Sequence, residues 1–260
     1  MTMPIFDFSG KNVFVFGGTS GINLGIAHAF ARNGARLSVA SRNPDKVAAA
    51  KAALSHTHPA LGFSLDVRDF DAVKAAVDAH VADRGSIDVL ISGAAGNFPA
   101  PATAISSNGF RTVTDIDTLG TFHVMRASYD ALTKPGASVV SISAAQAWIA
   151  MPLQVHVCAA KAGVDMITRV LAMEWASAGV RINSVAPGPI EGTEGMERLA
   201  PTPEAKAKAA ATVPMGRMGT VDEIGDMCMF LASDAARYVT GAVIPVDGGS
   251  TAGRSLSGLM

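Results

Sequence analysis

The sequence predicts a doubly wound α/β fold, with seven parallel strands in one sheet, helices on both faces, and a single domain over residues 1–260. Three observations predict it. Short β-rich runs alternate with longer helical patterns along the whole chain, a glycine cluster follows the first run directly, and 49% of the 260 residues are apolar. A chain of this length buries a large core, and strict strand–helix alternation implies parallel strands joined by crossover helices.

The first strand is predicted over Asn12 to Phe16, a continuous apolar run once Asn12 is passed. Further strands follow over Arg36 to Ala40, Gly62 to Asp66, Val89 to Ser92, Ala137 to Ile142, Val180 to Val185 and Ala242 to Val246. Between them, Pro44 to Leu54, Asp69 to Asp83 and His156 to Ala176 carry apolar residues at helical spacing with few breakers. No linker rich in Pro, Gly or Ser divides the chain. Residues 189–216, with their Gly, Thr and Pro content, read as a mobile lid or as a flexible surface loop.

Composition removes several classes of function. Twenty-one basic and 22 acidic residues give a net charge of −1, and a nucleic-acid partner would need a basic excess. No apolar run reaches the roughly 18 residues of a membrane span. Met1 to Gly10 lacks a secretory pattern. The two cysteines, Cys158 and Cys228, fall in helical segments, so no disulfide framework is expected and a reducing cytoplasm fits. No metal-ligand spacing is found.

Gly17-Gly18-Thr19-Ser20-Gly21-Ile22-Asn23-Leu24-Gly25 opens straight from the first strand into an apolar helix. Such a turn brings the backbone close to a pyrophosphate, whose charge then sits on the helix N-terminus. About twenty residues on, Ser41-Arg42 stands where an acid would contact a ribose hydroxyl. Ser41 leaves room for a phosphate and Arg42 offers a planar cation to it; an exposed strand-end arginine is the alternative. This favours NADPH.

These motifs resemble the short-chain dehydrogenase/reductase family, and the resemblance extends over almost the entire chain. Asp66-Val67 resembles the pair that lines the adenine pocket, and Arg181 to Ile190, with Pro187-Gly188-Pro189-Ile190, resembles the turn beside the nicotinamide. Tyr238-Val239-Thr240-Gly241 and Asp247-Gly248-Gly249 resemble the closing strand. The resemblance implies a Rossmann fold, places Lys161 on the helix of the catalytic lysine, and assigns Gly17, Thr19, Ser20, Gly21, Ile22, Arg42, Asp66, Val67, Ala94, Lys161, Pro187, Gly188 and Ile190 to the cofactor. It also implies a homotetramer.

The chain departs from that pattern where the chemistry would be. Phe16 and Asn23 replace a threonine and the third glycine of the loop, and Ser92-Gly93-Ala94-Ala95-Gly96 replaces the usual Asn-Asn-Ala-Gly. Val157 occupies the tyrosine position four residues before Lys161, Ala144 the serine position, and Asp117 the asparagine position on the fourth helix. Ser143 could substitute for Ala144 only if the strand end shifts.

Ala94-Ala95-Gly96-Asn97-Phe98, with Ala186 to Met196, resembles the 2,4-dienoyl-CoA reductase branch, and most closely its peroxisomal type, which pairs an aspartate with the lysine. That resemblance implies NADPH-dependent reduction of a dienoyl-CoA to a 3-enoyl-CoA in unsaturated fatty-acid degradation, with Asp117 and Lys161 catalytic and Asn97 and Phe98 against the acyl-CoA thioester. Hydride delivered to the far end of a diene sends charge to the thioester oxygen, which needs hydrogen-bond donors rather than an acid. Asp117 is then expected to position a proton-donating water. Ser257 to Met260 is not a peroxisomal address. Asn97 serves equally as a turn residue, and His156 reads either as a titratable neighbour of Val157 or as packing. Two other readings stay open: reduction of another conjugated thioester or enone, and a nucleotide-binding protein without turnover.

Overall fold

A computed structural model describes residues 6–55 and 58–253, and the sequence features at 1–5 and 254–260 lie outside them. Seven strands form one parallel sheet in the order β3-β2-β1-β4-β5-β6-β7. They are β1 (Asn12–Phe16), β2 (Arg36–Ser41), β3 (Leu61–Ser64), β4 (Val89–Ser92), β5 (Ser138–Ile142), β6 (Arg181–Pro187) and β7 (Val243–Val246). The helices are α1 (Gly21–Arg32), α2 (Pro44–Leu54), α3 (Phe70–Arg84), α4 (Ser107–Thr114), α5 (Gly120–Ser128), α6 (Val155–Trp175), α7 (Glu194–Leu199), α8 (Pro203–Ala211) and α9 (Val221–Ala232).

Alternation along β1 shows how one strand feeds two cores. Val13 and Val15 join Ile26, Phe30, Ile224 and Cys228 on one face. Phe14 and Phe16 join Leu90, Met125, Val139 and Trp175 on the other. Both faces of the sheet are therefore covered, as parallel strands require. On the first face α1 and α9 approach closely through Gly25 and Gly225. A Cβ on Gly25 would lie 2.5 Å from Val221 Cβ, and one on Gly225 would lie 2.7 Å from Ala29 Cβ.

The third strand ends two residues before the expected Asp66. Its ladder with β2 stops at Ser41↔Ser64, because the Asp66 carboxylate turns back to accept the Arg68 backbone N–H and guanidinium, and the Asp66 carbonyl accepts from Asp69 N–H. Local aspartate bonding of this kind competes with the ladder.

The strand order matters for function. After β3 the chain returns across the sheet to place β4 beside β1, so connections from these two neighbours leave in opposite directions. The crevice between their carboxyl ends is where open α/β sheets bind ligands. Gly17, Gly93 and Ala94 stand at it, and the ends of β5 and β6 lie alongside.

Candidate active site

Backbone geometry on the β1 side suits a phosphate-bearing ligand. Gly17 has φ +80° and Gly21 φ +53°, values that favour glycine. A Cβ on Gly17 would lie 2.8 Å from Ala94 N, so the glycine turn and the loop after β4 close on one another. Ser20 is the N-cap of α1 but makes no side-chain capping bond, and no acid occupies the first turn. Free helical N–H groups at such a terminus attract an anion, and Thr19 and Ile22 flank them. Arg42 follows β2, and among the described residues its guanidinium forms no ion pair. Arg68 chiefly, and Arg42 more weakly, hold the Asp66 carboxyl below the usual carboxylate range. Lys46, near Arg42, pairs with Glu194 of α7 at 2.8 Å.

Two departures from the family pattern meet here, 70 residues apart. Asn23 Nδ2 donates to the Gly93 carbonyl at 2.7 Å, and a Cβ on residue 93 would stand 2.3 Å from Asn23 Oδ1. A larger residue in the glycine loop is thus matched by a smaller one after β4. Sequence reading noted each change without connecting them, although their opposite sizes were the available signal.

On the other side of the crevice, Lys161 and Asp117 face each other. Lys161 Nζ lies 3.2 Å from Asp117 Oδ2, with both side chains almost wholly buried. The ammonium sits off the line that Oδ2 would need for a hydrogen bond, so that oxygen has no hydrogen-bond partner. Lys161 donates instead to the Ile142 carbonyl at 3.1 Å, at the end of β5. Asp117 Oδ1 accepts the Gly96 N–H at 2.7 Å, so one carboxylate fastens the loop before Asn97 and faces the lysine.

Asp117 is delivered by a turn the sequence did not predict. Residues Asp115–Leu119 form a wide π turn between α4 and α5, with Gly120 N–H donating to the Asp115 carbonyl. Single π turns of this kind are frequent at functional sites. Thr118 Oγ1 donates to the Ala160 carbonyl at 3.0 Å. A Cβ on Gly163 would stand 2.8 Å from Thr118 Cγ2, so α6 reaches the π turn only because residue 163 is glycine.

The remaining positions around Lys161 are as apolar as the sequence indicated. Val157 is buried against Val113 and Ala160, and Ala144 offers no hydroxyl. Ser143 does not replace it: its N–H continues the β5–β6 ladder to Val185, so the strand end has not shifted. A second buried acid, Asp165, lies one turn beyond Lys161 and accepts from Ser184 Oγ at 3.0 Å. Burial pushes its carboxyl above the usual range. Ser143, Ser184, Arg169 and Lys161 pull it back, although Ser143 Oγ makes no aligned hydrogen bond. Sequence reading missed Asp165, which looks like any helical acid until its neighbours are known.

Asn97 and Phe98 lie in the exposed loop after β4, and the Asn97 side chain makes no turn-stabilising bond. Phe98 covers His156, with ring centroids 4.4 Å apart. Beyond Phe98, a groove of about 560 Å³ is lined by Ile105, Phe110, Arg111, Thr114, Asp115 and Val155. The Pro187-Gly188 turn packs on Asp247: Gly188 N–H donates to the Val246 carbonyl, and a Cβ there would lie 2.6 Å from Asp247 Cα. Buried Ile190 follows, and the segment from 189 to 216 is tied at both ends, by Gly219 N–H to the Pro189 carbonyl and Met215 N–H to the Gly248 carbonyl.

A glycine cradle at the switch point, an uncapped α1 and a buried lysine on α6 reaching the end of β5 are features of a nicotinamide-nucleotide oxidoreductase. The chain belongs to the short-chain dehydrogenase/reductase family: a family model described as enoyl-(acyl carrier protein) reductase matches residues 17–251. It is 44% identical to the Danio rerio "Peroxisomal 2,4-dienoyl-CoA reductase [(3E)-enoyl-CoA-producing]", over 93% of this chain and 82% of that protein. It is 38% identical to the Bacillus subtilis "Probable 2,4-dienoyl-CoA reductase [(2E)-enoyl-CoA-producing]", over 92% and 96%. A short chain dehydrogenase crystal structure from Bacillus anthracis superposes with a TM-score of 0.84 at 35% identity, covering 93% and 96% of the two chains. No helix among the described residues is long and apolar enough to cross a membrane.

Proposed function

We propose that this protein reduces 2,4-dienoyl-CoA to 3-enoyl-CoA with NADPH, in the degradation of unsaturated fatty acids. The observation that carries the reading is the buried Lys161–Asp117 pair at 3.2 Å beside a buried Val157. A charged anchor is kept where the phenol that ketone reduction requires has gone. The names of the relatives point the same way.

A nicotinamide nucleotide, when bound, would supply a hydride. The residues that would hold it are the Gly17-to-Ile22 turn for the pyrophosphate, Arg42 for the 2′-phosphate, Asp66 and Val67 for the adenine, Ala94 and Lys161 for the ribose, and Pro187, Gly188 and Ile190 for the nicotinamide. Asn97 and Phe98 flank the thioester, and the 560 Å³ groove beyond Phe98 suits an acyl chain.

With hydride on the δ-carbon, the electron pair moves along the diene to the thioester oxygen. Lys161, an ammonium held on the Ile142 carbonyl, fixes the ribose and contributes positive charge without leaving its seat. Asp117 cannot stabilise the dienolate directly, because a carboxylate repels it. Its free Oδ2 orients a water, and that water protonates the α-carbon. Val157 and Val113 exclude other water from that face, which strengthens each remaining electrostatic contact. Residues 189–216 close over the substrate, and the active assembly is a homotetramer.

The test is NADPH oxidation, followed by absorbance, with hexa-2,4-dienoyl-CoA beside crotonyl-CoA and acetoacetyl-CoA. The expected result is turnover of the dienoyl thioester alone, a deuteride from labelled NADPH at the δ-carbon, and a large preference over NADH that Arg42→Ala removes. Turnover of crotonyl-CoA instead would make it an ordinary enoyl reductase. NADPH binding without turnover of any of the three would make it a nucleotide-binding protein, the reading that the loss of tyrosine and serine favours.

A further inference from the structure

Among the described residues, two histidines are fully buried, and they differ. His80, on α3, stacks on Phe14 with centroids 5.3 Å apart, and its Nδ1 is hydrogen bonded to Ser38 Oγ at 2.8 Å. His156, in the first turn of α6, is 0% exposed and packs tilted against Phe98, yet neither ring nitrogen has a partner. A neutral imidazole carries one N–H donor and one acceptor. Burying either unpaired forfeits its hydrogen bond to water with nothing in return, so an apolar ring at position 156 would stabilise this closed form. The imidazole has a use in another state of the protein.

The helix end around it points to what that use is. Gln154, the N-cap of α6, makes no side-chain capping bond, and the first turn carries no acid. By contrast α2, α3, α4, α7, α8 and α9 are capped by Asn43, Asp69, Ser106, Thr193, Thr202 and Thr220. The other long helix left uncapped is α1, at the pyrophosphate turn. A 21-residue helix with free N-terminal N–H groups and a buried unpaired imidazole forms a corner that favours negative charge.

The corner borders the substrate path on two sides. Val155 lines the 560 Å³ groove with Thr114 and Asp115. Phe98, 38% exposed, packs on the ring from the solvent side, and it stands two residues from Gly96, the loop position held by Asp117. Displacing one half-exposed phenylalanine therefore opens His156 to a group entering beside the Asp117–Lys161 pair.

We infer that His156 is the hydrogen-bond donor to the thioester oxygen of the acyl-CoA, with Phe98 as a gate that the acyl group turns aside; this rests on the reductase reading above. No covalent bond to His156 forms or breaks. As the δ-carbon accepts hydride, the carbonyl π pair becomes an oxygen lone pair, and the His156 N–H and the α6 terminus stabilise it. The α-carbon then takes its proton from water, the carbonyl reforms, and the hydroxide is neutralised from solvent. The donor is complementary to charge that exists only after hydride arrival, so it acts on the chemical step more than on binding.

The experiment uses the full chain with NADPH and hexa-2,4-dienoyl-CoA, comparing His156→Phe and His156→Gln with the unaltered protein. His156→Phe is expected to raise the melting temperature and keep NADPH affinity while single-turnover hydride transfer slows roughly 100-fold. His156→Gln, which retains an N–H donor, is expected to recover a measurable part of that rate at similar KM. Unchanged hydride transfer in His156→Phe overturns the assignment. Should that variant not fold, equal rates in His156→Gln and His156→Leu overturn it equally. If the unaltered protein binds NADPH but turns over no thioester, the reductase reading falls and the assignment with it.

Discussion

The glycine turn after β1 and the first two turns of α6 both depart from the pattern of their family, and they do so in opposite ways. At the glycine turn the departures cancel. Asn23 is too large for its position, Gly93 is small enough to receive it, and a 2.7 Å hydrogen bond joins them. Around Lys161 they do not cancel. The phenol on α6 and the hydroxyl after β5 are absent, Val157 packs on Val113 and Ala160, and a carboxylate from the π turn stands beside Lys161. Exchange that conserves shape leaves a binding surface as it was. Exchange that removes one kind of polar group and adds another changes what the surface can do.

That contrast breaks most easily at Lys161. Removing its ammonium leaves Asp117 buried with no opposite charge, and breaking one side of a buried pair costs about 3–5 kcal/mol. Lys161→Met is expected to lose that much in urea unfolding and to lose hydride transfer. Lys161→Met with Asp117→Asn is expected to regain most of the stability and none of the activity. If Lys161→Met unfolds like the unaltered protein, the two charges are not coupled and the account of α6 fails.

A titratable group on the nucleotide side provides the control. Burial, with help from the Arg84 cation, holds the His80 imidazole down to about 4 from its usual 6.5. The folded state therefore stays neutral while the unfolded chain takes a proton, and stability is lost as pH falls from 6.5 to about 4. A shift of this size corresponds to about 3 kcal/mol. His80→Gln cannot titrate and still offers Ser38 an acceptor. Its stability is expected to fall less steeply across that window, by about the same amount, with NADPH affinity untouched.

Much of this was legible in the sequence, and the remainder was not for identifiable reasons. Continuous apolar runs located all seven strands; the third ends two residues before Asp66, whose side chain bonds to Arg68, and the sixth runs two residues past Val185 to Pro187, paired there with Val246. Lys161, Val157 and Ala144 were legible because fixed spacing along one helix and strand carries them. The π turn was not, since nothing in Asp115-Ile116-Asp117-Thr118-Leu119 distinguishes one wide turn from a regular helix. The surroundings of Asp165 and of His156 were hidden for another reason. Whether a helical side chain is buried, paired or covered depends on what arrives from β6 or from the Phe98 loop, far away in sequence.

The matched pair at the glycine turn gives a sharper and smaller test. A Cβ on residue 93 would overlap Asn23, so Gly93→Ala is expected to cost about 1–3 kcal/mol as overpacking and to weaken NADPH binding. Asn23→Gly with Gly93→Ala is expected to restore both, a coupling that melting curves and nucleotide titration read together. Additive losses in the double variant would mean the two departures arose without compensating each other.

The smallest expected effect is the most telling about α6. If the missing phenol alone separated this protein from a ketone reductase, Val157→Tyr would create one. It is expected to create none, and acetoacetyl-CoA reduction should stay at background. The tyrosine ring would have to displace Val113, which packs on Val157. Ala144 offers no hydroxyl to share its proton. The Asp117 carboxylate, facing Lys161, stands where the family has a neutral asparagine. A phenol placed there lacks the surroundings that would let it act as an acid. Measurable ketone reduction by Val157→Tyr would show that the site lost one group rather than being rebuilt around a different oxygen.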